Sequence, residues 1–241
     1  MKRLIVALLL IVAAVCLFGC EKKKTKVIMA TEVGFAPYEY YKGSDVVGID
    51  PDIAAEIAKE MGVELEIMNM NFDTIPDAIK TGRADFAAAG MSITDERKQV
   101  VDFSIEYATS EQVIIVLADS PIKTPADLAG KVVAVQEGTV ADLYLNDFVA
   151  DAKTLPSKKY FEAVSNLTTG RADAILLDKL PAQEIVKTAA NLIILPEPLF
   201  TDKYALAVQK GNKELLDTIN KVLTRLIAEG KIDELTLKHL Q

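Results

Sequence analysis

The sequence predicts an α/β protein of two α/β lobes joined by a two-segment hinge, with a ligand cleft between them. Three observations predict it. The pentapeptide Thr81-Gly82-Arg83-Ala84-Asp85 recurs 88 positions later as Thr169-Gly170-Arg171-Ala172-Asp173. Each copy follows a helix-like stretch and precedes a short apolar run, so one αβ unit is used twice. No low-complexity linker separates the halves, which suits two lobes crossed by short extended segments. Five residues past each Asp, the apolar run reaches Gly90 in one copy and Asp178 in the other. Strand ends of such units are where α/β proteins bind small molecules.

In the first half, residues 26–31 read as a strand, followed by a loop with Gly34 and Pro37. Asp50 reads as a helix N-cap, with Pro51 at the first helical position, where its missing N–H costs nothing. Ile53, Ala54, Ile57, Ala58 and Met61 fall on one helical face, and Gly62 stops the helix. Residues 64–70 alternate as a strand, 73–81 read as a helix closed by Gly82, and 84–88 as a strand. The connections are short enough to imply parallel pairing.

The second half repeats this grammar. Thr124-Pro125-Ala126-Asp127 is a capping-box-like start closed by Gly130. Residues 131–135 read as a strand, and Glu137-Gly138-Thr139 turns into a helix from Val140 with Thr139 as its cap. Residues 160–168 read as a helix and 172–177 as a strand. A strand at 204–208 and helices at 213–228 and after Gly230 close the chain. Residues 112–117 and 204–208 are the expected crossings, which puts one lobe at 26–111 plus 202–241 and the other at 112–201.

The first residues stand apart from this fold. Met1-Lys2-Arg3 is a basic start, and residues 4–18 form an apolar run of fifteen, signal-peptide length and short for a span of about 20. Leu17-Phe18-Gly19-Cys20 resembles a bacterial lipobox, although Phe18 is bulkier than the small residue usual there. The expectation is a signal peptide at 1–19 and a tether at 20–25 with Cys20 lipidated. The alternative is an uncleaved anchor helix. Both place the remainder outside the cytoplasmic membrane.

Composition then excludes several chemistries. Cys16 would leave with the leader and Cys20 would carry lipid, so no thiol remains for a disulfide or a thiolate site. The single histidine is His239. No metal site and no cofactor are expected, and there is no G-x-S-x-G, no Walker-type loop and no His to pair with a Ser. Without Lys2 and Arg3, 25 basic side chains face 35 acidic ones, a balance of −10 that makes nucleic acid a poor partner.

What remains suits a small zwitterion. Gly90 at a strand end lets a ligand approach the backbone. Ser92 offers an N–H and a hydroxyl, and Arg97 offers a planar fork that matches a carboxylate; the alternative is a surface Arg97 paired with Asp95 or Glu96. Glu137-Gly138-Thr139-Val140 sets backbone N–H groups at a helix start, either an anion site or an ordinary capped turn. Asp178 either holds an ammonium group or caps the helix that follows.

These pieces resemble a family. From Lys26 to Leu240 the chain is similar to the bacterial extracellular solute-binding proteins for polar amino acids, receptors of ABC importers with the type II periplasmic binding protein fold. The resemblance rests on Gly34-Phe35-Ala36-Pro37-Tyr38-Glu39-Tyr40, Gly48-Ile49-Asp50-Pro51-Asp52-Ile53, Phe72-Asp73, Gly90-Met91-Ser92-Ile93-Thr94-Asp95-Glu96-Arg97, Val101-Asp102-Phe103-Ser104, Gly130-Lys131-Val132-Val133-Ala134-Val135 with Gly138-Thr139, and the strand from Asp173 to Asp178. It implies that Arg97 clamps the ligand α-carboxylate with N–H groups at Ser92 and at Thr139 or Val140. Asp178, the Gly90 carbonyl and Ser92 would hold the α-ammonium, with Met91 lying inside that motif. Phe35 and Phe72 would flank the side chain, and Glu32 and Gln136 would read it. Pro51, Val140 and Ala89 depart from the usual residues.

The resemblance implies a non-enzymatic, monomeric receptor for a free amino acid. It would be lipid-anchored outside the membrane, would serve permease subunits, and would close by a hinge. Glu32 favours a cationic ligand such as arginine or lysine; if it faces solvent, a neutral one such as glutamine fits. Two rivals share the fold: a cyclohexadienyl dehydratase with Asp178 as acid, and a sensor partner of a membrane signalling protein.

Overall fold

The computed structural model describes residues 25–240. The expected leader, Cys16, Cys20 and the tether up to residue 24 lie outside the described residues. The chain runs through β1 (Lys26–Thr31), the hairpin β2 (Tyr40–Lys42) and β3 (Asp45–Val47), a helix at Ile49–Met61, β4 (Glu64–Asn69), a helix at Ile75–Lys80, β5 (Phe86–Ala87), one turn at Asp95–Lys98 and β6 (Val101–Phe103). It continues through β7 (Ala108–Leu117), β8 (Val132–Gln136), a helix at Val140–Phe148, β9 (Lys153–Ser157), a helix at Tyr160–Thr168, β10 (Ala174–Asp178), a helix at Lys179–Thr188, β11 (Leu192–Ile194) and β12 (Phe200–Tyr204). It returns through β13 (Ala207–Gln209) and ends in helices Lys213–Ala228 and Lys231–His239.

Two main sheets result, ordered β4-β1-β5-β13-β6 and β11-β7-β10-β8-β9, with β12 paired to β7. Each is the centre of an α/β lobe. β1 pairs in parallel with β4 and β5, and β8 pairs in parallel with β9 and β10, so the same three-strand unit occurs twice.

The repeated pentapeptide builds the same turn in both lobes. Gly82 and Gly170 follow their helices at φ 71° and 73°. The Thr81 and Thr169 hydroxyls each donate back to the helix, to Asp77 O and Ser165 O at 2.7 Å. Each repeated Asp then clamps one residue of the central strand. Asp85 donates its N–H to Ile28 O at 2.8 Å and accepts the Ile28 N–H on Oδ2 at 2.7 Å. Asp173 does the same with Val132, at 2.7 and 2.8 Å. The motif is a device for docking a strand.

Three expectations are corrected. The helix at Ile49–Met61 is entered through Gly48, not Asp50: Gly48 has φ 144°, and a Cβ there would lie 2.0 Å from the Tyr38 carbonyl oxygen. Asp50 is thereby freed to turn its carboxylate inward, and Pro51 sits at the third helical position, still among the four N–H groups that need no helical partner. The helix read at 73–81 divides into a 3₁₀ turn, Phe72–Thr74, and Ile75–Lys80. Residues 112–117 are not a crossing segment. Positions 112–116 are all buried, as a central strand requires, and β7 pairs with β10, β11 and β12. The ladder of residues 108–112 with 200–204 belongs to the second sheet, and the chain passes between sheets at 104–107 and 205–206.

Packing follows the apolar faces. Ile53, Ala54, Ile57 and Ala58 are buried as their spacing predicts, in a cluster that includes Ile219, Val222 and Leu223 of the helix at Lys213–Ala228. Truncating a side chain such as Ile57 to Ala should cost about 2–5 kcal/mol. The two lobes meet through aromatic rings: Phe35 stacks on Tyr160 at 5.3 Å, and Tyr38 meets Tyr204 edge-on at 5.1 Å.

Candidate ligand cleft

Between the lobes lies a narrow cleft, lined by Glu32, Phe35 and Arg97 from one side and by Gln136, Thr139 and Asp178 from the other. Its polar groups fall into three sets.

The first centres on Arg97. Thr94 caps the turn at Asp95–Lys98, its hydroxyl accepting the Arg97 N–H at 3.1 Å, and this aims the side chain inward. Arg97 is 7 % exposed, so the surface reading is overturned; Asp95 pairs with Lys98 instead, at 3.0 Å. Nη1 donates to Ser92 O at 2.6 Å and Nη2 to Gly138 O at 2.9 Å, while the guanidinium lies 5.2 Å from the centre of the Phe72 ring. Burial lowers its pKa to about 10, against the pull of Asp202 and Glu96, so it remains a cation at neutral pH. Thr139 caps the facing helix, its hydroxyl accepting the Asp142 N–H at 3.4 Å, and Val140 follows it on the wall.

The second set centres on Asp178. It occupies the N-cap position of its helix but makes no side-chain capping bond. Its Oδ1 instead accepts from Gln112 Nε2 at 2.6 Å and from the Tyr204 hydroxyl. Burial, with Asp202 nearby, holds its carboxyl well above the usual range. Gly90 has φ 50°, and a Cβ there would meet Phe35 Cε1 at 2.6 Å. Its N–H donates to Asp50 Oδ2 at 2.8 Å. The Ser92 hydroxyl donates to Asp202 Oδ2, so its lone pairs are left for a donor.

The third set is acidic. Glu32 is 1 % exposed and does not face solvent. Its Oε2 accepts from Gln136 Nε2 at 3.0 Å, and Oε1 is ion-paired with Lys159 from the other lobe. Glu39 is equally buried, but no donor reaches either of its carboxylate oxygens. Burial first, then Asp50 and Glu32, push its carboxyl well above the usual range.

Of the residues expected at the site, Met91 does not reach the wall. It is wholly buried in the first-lobe cluster with Ile75 and Val101, and only its carbonyl points across, to the Ala205 N–H at 3.1 Å. Gly90 and Ser92, on either side of it, line the cavity instead. Glu39, Ala89 and Tyr160 line the cavity without having been read as site residues. The signal for Glu39 was present: a lone acid between Tyr38 and Tyr40. Among the described residues, no group of three side chains suits a metal ion. His239 lies elsewhere, bonded to Asp52 at 2.8 Å and Tyr40 at 3.1 Å.

A cation from one lobe facing a carboxylate from the other, across the cleft, defines a two-lobed receptor for a small zwitterion. The family of bacterial extracellular solute-binding proteins, family 3, matches residues 27–241, and the chain belongs to it. The chain is 31 % identical to the arginine-binding extracellular protein ArtP of Bacillus subtilis, over 96 % of both chains. It superposes on the amino acid ABC transporter substrate-binding protein AbpA of Streptococcus pneumoniae, bound to L-arginine, with a TM-score of 0.86, 32 % identity, and 91 % and 96 % of the two chains covered. An ancestral arginine-binding protein bound to glutamine matches with a TM-score of 0.85 and 36 % identity, over 90 % and 98 %. These relatives are binding proteins. The family places the chain outside the cytoplasm, and no described helix is long and apolar enough to cross a membrane.

Proposed function

We propose that the chain is the substrate-binding receptor of an amino-acid ABC importer and closes on a polar L-amino acid with a cationic side chain, arginine foremost. The observation that carries this reading is Glu39, a buried carboxyl on the cavity wall with no donor of its own. Arg97 answers the ligand α-carboxylate and Asp178 the α-ammonium. Glu32 is already matched by Lys159. Glu39 is then the charge left for a guanidinium or ammonium at the side-chain end, and such a group supplies the donors that both its oxygens lack. Arginine-binding relatives support the same choice.

Arg97 gives up carbonyl contacts at Ser92 and Gly138 to take a carboxylate in bidentate fashion, and Gly138 lies on the opposite lobe. The ligand thus bridges the lobes with its own charges. Partners on this reading are the permease subunits and, through lipid on Cys20, the membrane; the receptor acts as a monomer without catalysing a reaction. Titration calorimetry with the twenty amino acids tests it. Tight binding of arginine, with lysine next, is expected, and no binding of any at millimolar concentration overturns it. Glutamine above arginine would favour a neutral-ligand receptor, and turnover of prephenate would revive the dehydratase.

A further inference from the structure

Glu39 and Asp50 form a buried acid pair that the established family membership does not explain. They are 1 % and 0 % exposed, and no lysine, arginine or histidine pairs with either among the described ion pairs. The backbone brings them together. Gly34 and Phe35 donate to Glu39 O at 3.1 and 2.9 Å, and the Asp50 N–H donates to Tyr38 O at 3.0 Å, so the loop and the helix start are locked side by side. Their environments differ. Asp50 is satisfied as an anion, Oδ1 accepting from the Tyr107 hydroxyl at 2.6 Å and Oδ2 from the Gly90 N–H at 2.8 Å. Glu39 has no donor at either oxygen and faces the cavity. The polar side chain beside it is Asp50, itself an acceptor, so the two carboxyls can join only through a proton that one of them carries.

We propose that Glu39 carries this proton in the empty receptor, bridging to Asp50, and that a cationic ligand side chain expels it to solvent on binding. The inference rests on the cationic-ligand reading above. The balance is simple: the Glu39 O–H bond breaks, its proton goes to the buffer, and the ligand's positive charge takes its place beside the new carboxylate. The acids around Glu39 favour the protonated form while the site is empty. Asp50 faces Glu39 from the helix, Glu32 from the loop after β1 and Asp178 from β10, all acids. Lys159 is spent on Glu32, and Arg97 is held by the Ser92 and Gly138 carbonyls. Burial raises both carboxyls, and Asp50 is held at about 6 with hydrogen bonds from Tyr107 and Gly90 pulling it down, bonds that Glu39 lacks. A neutral side chain leaves the proton in place, so the pair distinguishes cationic from neutral ligands by proton release as well as by contact.

The test is calorimetry of the whole extracytoplasmic chain near neutral pH in buffers of different ionisation enthalpy. L-Arginine is compared with L-citrulline, its neutral isostere. For arginine, the observed enthalpy should follow the buffer with a slope about one proton greater than for citrulline, and the ratio of arginine to citrulline affinity should rise by up to ~10-fold per pH unit. Citrulline should show a smaller slope, because its α-ammonium meets the raised Asp178 carboxyl just as arginine's does. In Glu39→Gln, arginine should bind more weakly and with no more release than citrulline. Arginine binding to the native chain with no more buffer dependence than citrulline overturns the inference while leaving the receptor reading intact. Release with arginine in Glu39→Gln that still exceeds release with citrulline overturns it too. Failure of arginine to bind the native chain sinks the cationic-ligand reading and this inference together. The comparison of the two ligands on the native chain decides the matter even if Glu39→Gln does not fold.

Discussion

Nη2 of Arg97, on the first lobe, donates to the carbonyl oxygen of Gly138, on the second, at 2.9 Å. The same guanidinium that is suited to a ligand carboxylate therefore already spans the cleft. Its hydrogen bonds to two carbonyls are charge-assisted on one side only, so an anion placed between the lobes competes for it with advantage.

Arg97→Ala should weaken arginine binding by more than ~100-fold, because truncating one partner of a buried charged pair costs about 2–5 kcal/mol. Arg97→Lys keeps the charge but loses the fork and should recover only part of the affinity. Calorimetry on both variants checks this, and affinity within a few-fold of native for Arg97→Ala removes Arg97 from the carboxylate site.

Lys159→Ala should shift selectivity toward cationic ligands. Removing the Lys159 ammonium leaves Glu32, 1 % exposed, as a second uncompensated carboxylate on the wall. The ratio of arginine to citrulline affinity should rise by roughly tenfold, or about 1.4 kcal/mol. An unchanged ratio in competition titrations would show that Glu32 does not sense the ligand's charge.

The empty protein should be less stable at neutral than at mildly acidic pH. Burial holds Asp50 at about 6 and raises Asp178, against a usual value of 3.8. A carboxyl raised by folding binds more protons folded than unfolded, so stability falls as pH climbs through that window and then levels off. Glu56 and Glu60, held below their usual range by Arg225 and Lys221, are ionised throughout and do not oppose the trend. The melting temperature without ligand should be higher near pH ~5 than near pH ~7.5, and Asp178→Asn should shrink the difference; the opposite slope contradicts the assignment.

Asp173→Ala should cost about 1 kcal/mol of stability, the scale of one lost hydrogen bond, and leave arginine affinity within about twofold. Asp173 clamps Val132 and does not line the cavity. Denaturant melts and calorimetry together separate scaffold from site. Gly48→Ala makes the contrast: with φ 144° and a Cβ 2.0 Å from Tyr38 O, it should destabilise the fold severely.

Much of the scaffold was legible because its signals are local. A glycine after a helix, a threonine before one and the 3.6-residue spacing of Ile53, Ala54 and Ile57 each act within a few residues. The role of Asp50 was not legible, because capping is read from neighbours while its real partners, Gly90 and Tyr107, lie 40 and 57 positions away. The run at 112–117 was misread because an apolar strand looks the same in sequence whether it crosses between sheets or lies in the middle of one.

The sequence by itself determined the α/β class and the two copies of one strand-docking unit, while Glu32, Phe35, Phe72 and Gln136 on the cavity wall came from the family resemblance alone. Only the tertiary structure decided how those residues divide the charge. Glu32 promised a free carboxylate, yet Lys159 meets it from the other lobe, and the unmatched acid is Glu39. Pairing across a cleft depends on which side chains closure brings within a few ångströms, and desolvation then sets which of them can stay ionised. Neither is written in the spacing of residues along the chain.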